Sequence, residues 1–160
     1  MTPKEFCKKH YACSDGAEFA MRHETMIAVW DNCPKVDWMI WIMDRLEIKM
    51  DDKKARLFAC WCVQETPLAD GRKVWDLLTD ERSRNAVNVA LRFARDESNQ
   101  VELDAARAAA WDAAWDAARA AARAAAWAAA GDAARAAAWA AAGDVQAIKF
   151  REFFANPFVE

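Results

Sequence analysis

From Ala105 to Gly143, 26 of 39 residues are alanine, and a large side chain returns at every fourth position. The large residues are Arg107, Trp111, Trp115, Arg119, Arg123, Trp127, Arg135 and Trp139, with Gly131 and Gly143 in the same phase. Asp104, Asp112, Asp116, Asp132 and Asp144 each follow that phase by one residue. One unit, Ala-Ala-Arg-Ala-Ala-Ala-Trp-Ala-Ala-Ala-Gly-Asp, occurs unchanged at 121–132 and at 133–144. Alanine is the best helix former, so this tract is nearly forced into helix. A step of four overshoots the 3.6-residue turn by about 40°, so the large side chains spiral around the rod instead of forming one stripe. Asp104/Arg107, Asp116/Arg119 and Asp132/Arg135 stand three residues apart as opposite charges. Each such pair adds a few tenths of a kcal/mol to a helix.

Two forms of the tract are open. One is a continuous helix from about Asn99 to Ala142, about 65 Å long at 1.5 Å per residue. The other breaks at Gly131 and Gly143, each Gly-Asp acting as a stop and a new cap. The continuous form is favoured, because glycine takes the phase that Trp and Arg occupy elsewhere. A short separate helix, Val145 to about Phe154, closes the chain, and its Ile148, Phe150, Phe153 and Phe154 are expected to pack back on the body.

Residues 1–98 read as a Trp-rich body of short helices. Thr2-Pro3-Lys4-Glu5 is a helix start with a capping box. Ser14 is the expected cap of a helix running to about Arg22, and a further helix spans about Glu24 to Asn32. Pro34 opens a helix through about Leu46 that is apolar nearly all round (Val36, Trp38, Met39, Ile40, Trp41, Ile42, Met43), which places it in the middle of a fold. Asp51 and Asp52 suit the positive end of a helix carrying Leu57, Phe58, Trp61 and Cys62, which stops near Glu65 before Pro67. Val74 to Leu78 is short. Thr79 or Asp80 caps a last helix with Val87, Ala90, Leu91 and Ala94 at helical spacing. No alternating strand pattern occurs. The reading is an all-α single domain over 1–160: a compact bundle of short helices plus the long Ala-rich helix.

The formal net charge of −3 is spread evenly along the chain, without the basic excess of a typical nucleic-acid binder. The first twenty residues hold no apolar run of the signal-peptide kind, and Trp38 to Met43 is too short to span a membrane. Five cysteines, an odd number without a leader, read as free thiols in a reducing cytosol. The expected location is therefore the cytoplasm.

Candidate chemistry is sparse. Cys7, His10 and Cys13 have metal-ligand residue types, but their spacing on a helix does not bring them together well, and a fourth ligand would have to be His23 or Cys33. Cys60-Trp61-Cys62 is not the two-spacer redox motif, and one intervening helical residue points the thiols apart. His10 and His23 stand in no nucleophile constellation, and there is no glycine-rich phosphate loop. Asp51-Asp52 and Asp80-Glu81 read as helix N-terminal charge. No catalytic residue, metal or cofactor is expected. In the tract, most Trp should fill gaps between helices. Two or three tract residues are expected to stay exposed as a recognition surface, because Trp and Arg are enriched at binding hot spots.

Several segments together carry a resemblance. They are Ala12-Cys13, Trp30-Asp31, Asp37-Trp38 with Trp41, Arg56-Leu57-Phe58-Ala59-Cys60-Trp61-Cys62, and Leu77-Leu78-Thr79-Asp80-Glu81-Arg82-Ser83, followed by the Ala/Arg/Trp/Asp tract. In this order they resemble the immunity-5-like immunity proteins of bacteria and their phages, over most of the chain except its Phe-rich end. The resemblance implies a protein that neutralises a toxin by binding it, with no catalytic residues to carry over. Phage carriage would imply a related job, the blocking of a host defence enzyme as anti-CRISPR proteins do. The expected partner is another protein, bound through the eight Trp and Arg residues of the spiral, and a homodimer is open. The alternatives are a helical nucleic-acid binder using Arg107, Arg119, Arg123 and Arg135, and a metal-dependent enzyme.

Overall fold

The computed structural model describes residues 1–68, 71–110 and 132–159, the last stretch with side chains from Gly143 onward. The fold is all-α, with a single isolated bridge, Pro67 to Lys73, among the described residues. The helices are α1 (Pro3–His10), α2 (Ser14–Ala20), α3 (Met26–Asn32), α4 (Val36–Arg45), α5 (Asp52–Glu65) and α6 (Glu81–Ala94). A 3₁₀ turn at Val74–Leu77 lies between α5 and α6. Residues 100–110 are helical and are called α7; α8 is Asp132–Phe153. No described helix is long and apolar enough to cross a membrane.

The caps follow local chemistry. Thr2 and Glu5 form the capping box of α1, with Pro3 in its first turn. The cap of α2 is Cys13 and not Ser14: Gly16 N donates to Cys13 Sγ at 3.4 Å. Ser14 turns its hydroxyl to Asp15 instead. Thr25, Asp51 and Asp80 cap α3, α5 and α6 through side-chain oxygens. Three helices are followed by a left-handed residue that is not glycine: Tyr11 (φ 56°), Glu47 (φ 57°) and Asp96 (φ 63°).

The chain forms two compact units, residues 1–50 with 143–160 and residues 51–142. The first buries Trp30, Phe6, Met39, Cys33 and Phe150 around α1, α3, α4 and the end of α8. Arg151 ties α8 to the C-terminal end of α3, its Nη1 donating to Cys33 O at 2.8 Å and Trp30 O at 3.3 Å. Asn156 Nδ2 adds bonds to Asp31 Oδ1 and Ile27 O. In the second unit α6 packs against α5 on one side and α7 on another, with Val89, Leu103 and Ala106 as one buried cluster beside Ala86, Ala90 and Phe93.

Two expectations change. The Ala-rich helix does not stop at Ala142 with a new helix at Val145, because α8 runs unbroken from Asp132 to Phe153 through Gly143 and Asp144. A helical glycine costs about 1 kcal/mol, which the flanking alanines absorb. Continuity through Gly131 lies outside the described residues. In α8, Ala147, Phe150 and Phe154 form the buried stripe, while Ile148 is exposed because a neighbouring helical position points about 100° away. The second change concerns α4, which buries one face only (Met39, Ile42, Met43). Lys35 Nζ sits 4.4 Å from the Trp38 ring centre and Arg45 Cζ 5.8 Å from that of Trp41, so cations cover indoles that the core does not take.

Candidate docking pocket

Helices α1 to α4 enclose a cavity of about 400 Å³. Its walls include Phe6, Phe19, Trp38, Trp41, Met26 and Ile42, and Asp37 is the only charged residue among those that line it. The opening comes from ring geometry. Phe6 meets Trp41 edge-on at 6.0 Å and Phe19 meets Trp38 at 5.6 Å, so the rings brace one another without filling the space between the helices. The volume is within the range of small-molecule and side-chain pockets, about 300–1,000 Å³.

Tyr11 lines this cavity and is 92% exposed. It is the C-cap of α1 and holds the left-handed conformation there, its N–H donating to Cys7 O. That position normally takes glycine. A side chain there costs about 1–2 kcal/mol, and in Tyr11 almost no burial offsets the cost.

The thiols in the pocket wall differ. Cys7 and Cys33 are buried and Cys13 is exposed. Burial, and secondarily the neighbouring Cys13, pushes the Cys7 thiol up; burial pushes Cys33 up as well. In the second unit burial lifts Cys60, and lifts Cys62 to about 11. Raised values disfavour the reactive thiolate, so these four are packing groups. The imidazoles are structural: His10 stacks on Phe6, and His23 Nδ1 lies 3.1 Å from Phe19 O. Among the described residues, no three His, Cys, Asp or Glu side chains come together as a metal site would require.

The second unit has a more open groove of about 470 Å³ between α5 and α6, lined by small residues (Ala55, Ala59, Val63, Ala86, Val87, Ala90) with Arg56 and Arg107. Arg107 is the one residue of the predicted spiral whose side chain is described, and it is exposed. Leu103, four residues earlier, is buried. Trp111, Trp115, Arg119, Arg123 and Trp127 lie outside the described residues, and of Arg135 and Trp139 only the helical backbone is described. The structure thus adds a site that the sequence reading missed. Trp38 and Trp41, three apart on α4 beside Asp37, were its visible signal; the exposure of Tyr11 was not visible.

Comparison with family models, curated proteins and solved structures finds no match to the chain.

Proposed function

We propose that the chain is a small protein inhibitor that acts by stoichiometric binding to another protein, with the α1–α4 pocket as a docking site. Tyr11 carries this reading: a large aromatic left 92% exposed at the wall of an aromatic pocket. Tyr and Trp are enriched among residues that dominate binding energy. The segments resembling immunity-5-like proteins favour toxin neutralisation as the purpose; anti-defence inhibition by a phage protein is the same physical act on a different target.

The test separates folding from binding. Tyr11→Gly is expected to raise unfolding stability by about 1 kcal/mol, because the left-handed cost disappears. The same change is expected to weaken capture of the partner at least about tenfold, in a pull-down from the native host followed by light scattering of the 1:1 complex. Recovery of no protein partner by the wild-type chain would overturn the proposal. So would capture by Tyr11→Gly at wild-type strength; if Arg107→Glu weakens capture in that case, the spiral is the docking surface.

A further inference from the structure

Although the chain carries a net charge of −3, α1, which ends at Tyr11, carries three lysines against one acid, Glu5. Lys4, Lys8 and Lys9 are exposed on α1. Among the described residues none of the three is in an ion pair, whereas Glu18 is held by Arg22 at 2.6 Å and Glu5 closes the capping box on Thr2. Lys4 and Lys8, with Tyr11 and Met21, line a shallow groove of about 340 Å³. That groove shares Cys7, Tyr11 and Ala12 with the aromatic pocket, so the two hollows adjoin. Like charges four residues apart on a helix, as Lys4 and Lys8 are, repel each other. Their repulsion is relieved by an anionic partner.

We infer that this surface takes an acidic segment of the partner protein, with carboxylates along Lys4 and Lys8 and one apolar side chain seated in the pocket. The inference rests on the protein-docking reading and specifies the chemistry of the partner. Asp37 in the pocket wall repels a carboxylate there and accepts a hydrogen bond from an indole N–H, so Trp flanked by Glu and Asp is the fitting anchor. Complementary charge of this kind steers encounter and selects the partner.

Random peptides of about 12 residues, displayed on phage and selected on the immobilised full chain at low salt, test this, since charge attraction is longest-ranged there. Enrichment of Glu and Asp around an aromatic residue is expected. In fluorescence anisotropy the selected peptides should bind about tenfold more weakly to Lys4→Glu/Lys8→Glu and to Tyr11→Gly. Raising salt from about 50 to about 300 mM should weaken them further, as the screening length shortens below about 10 Å. Selected peptides without acidic enrichment that are nevertheless lost on Tyr11→Gly would overturn the acidic partner and leave the docking site standing. Selection of no peptide, or of peptides indifferent to both variants, would overturn both. An oligothymidine probe that binds more tightly than any selected peptide would overturn the inference in favour of phosphate recognition.

Discussion

Among the described residues, the two units fill their interiors with different materials. Residues 1–50 with 143–160 bury Trp30, Phe6, Phe150 and Met39; the described part of residues 51–142 buries Val89, Ala94, Leu103 and Ala106 beside Phe58, Cys60 and Thr66. Wide rings meet edge-on and brace a hollow. Small side chains let helices approach, so that Cys60 Sγ donates to Val87 O across α5 and α6 at 3.7 Å. The hollows are similar in size, about 400 and 470 Å³, so volume does not separate them. Wall chemistry does. The first is walled by indole and phenyl faces with one carboxylate, Asp37; the second is walled by alanine and valine with three charged residues, Asp52, Arg56 and Arg107. Aromatic packing therefore gives the first unit its pocket as a by-product of its core.

The largest test of that contrast is core truncation. Trp30 is 0% exposed and its ring lies 6.2 Å from that of Phe150. Trp30→Ala is expected to cost about 3–5 kcal/mol, and Leu103→Ala in the second unit about 2–5 kcal/mol. Urea denaturation of both variants measures this; a clearly larger loss at Leu103 would break the claim that the aromatic core is the heavier one. Among the described residues nothing accepts from the buried Trp30 Nε1. Trp30→Phe is therefore expected to lose much less than Trp30→Ala, because it also removes an unpaired donor.

A middle-sized effect concerns how helix ends are tied. In the first unit Arg151 donates to two carbonyls at the end of α3. In the second, Ser98 Oγ, just past α6, reaches back to a carbonyl inside that helix, donating to Val89 O at 3.4 Å. A charged donor at a helix C-terminus also meets the negative end of the dipole. Arg151→Gln is expected to cost about 1.5–3 kcal/mol and Ser98→Ala about 0.5–1.5 kcal/mol. Equal losses in thermal denaturation would remove the difference between the two ties.

Much of the fold was legible because its signals are local. Thr2-Pro3-Glu5 announces α1 and is used as read; Asp51, read with Asp52 as N-terminal charge, caps α5, and of the two candidates Thr79 and Asp80 it is Asp80 that caps α6. The cap at Cys13 was not legible, since thiol capping is uncommon and Ser14 offered the better-known oxygen. Gly143 was misread as a stop because glycine ends helices by local preference, while alanines on its N-terminal side and Ala147 and Phe150 packing beyond it carry α8 through. The pocket depends on long-range placement of Phe6 against Trp41 and Phe19 against Trp38. No spacing rule supplies those contacts. The left-handed state of Tyr11 was hidden because a glycine-poor chain must end helices with other residues.

The smallest effect is the response to acid, and it compares a cap from each unit. In the first, the backbone and hydroxyl of Thr2 hold the Glu5 carboxyl below its usual range. In the second, hydrogen bonds from the Arg82 side chain and then its backbone N–H hold Asp80 at about 2. Both values are depressed by folding, so both caps stabilise above the unfolded carboxylate range, near pH 4, and their contribution is lost as pH falls through the folded values. Asp80 should keep its contribution furthest into acid, losing it between about pH 4 and pH 2. Asp80→Asn, which keeps a side-chain acceptor but cannot titrate, is expected to flatten the acid limb of stability over that interval. Glu5→Gln is expected to flatten it at the start of the fall. Glu5 is exposed and Asp80 partly so, where salt and water screen the charge, so each change is a shift in slope and not a loss of fold. Urea midpoints measured at pH 2, 3, 4 and 6 would show it. An Asp80→Asn curve parallel to wild type below pH 4 would mean that Arg82 holds Asp80 no more tightly in the folded chain than in the unfolded one.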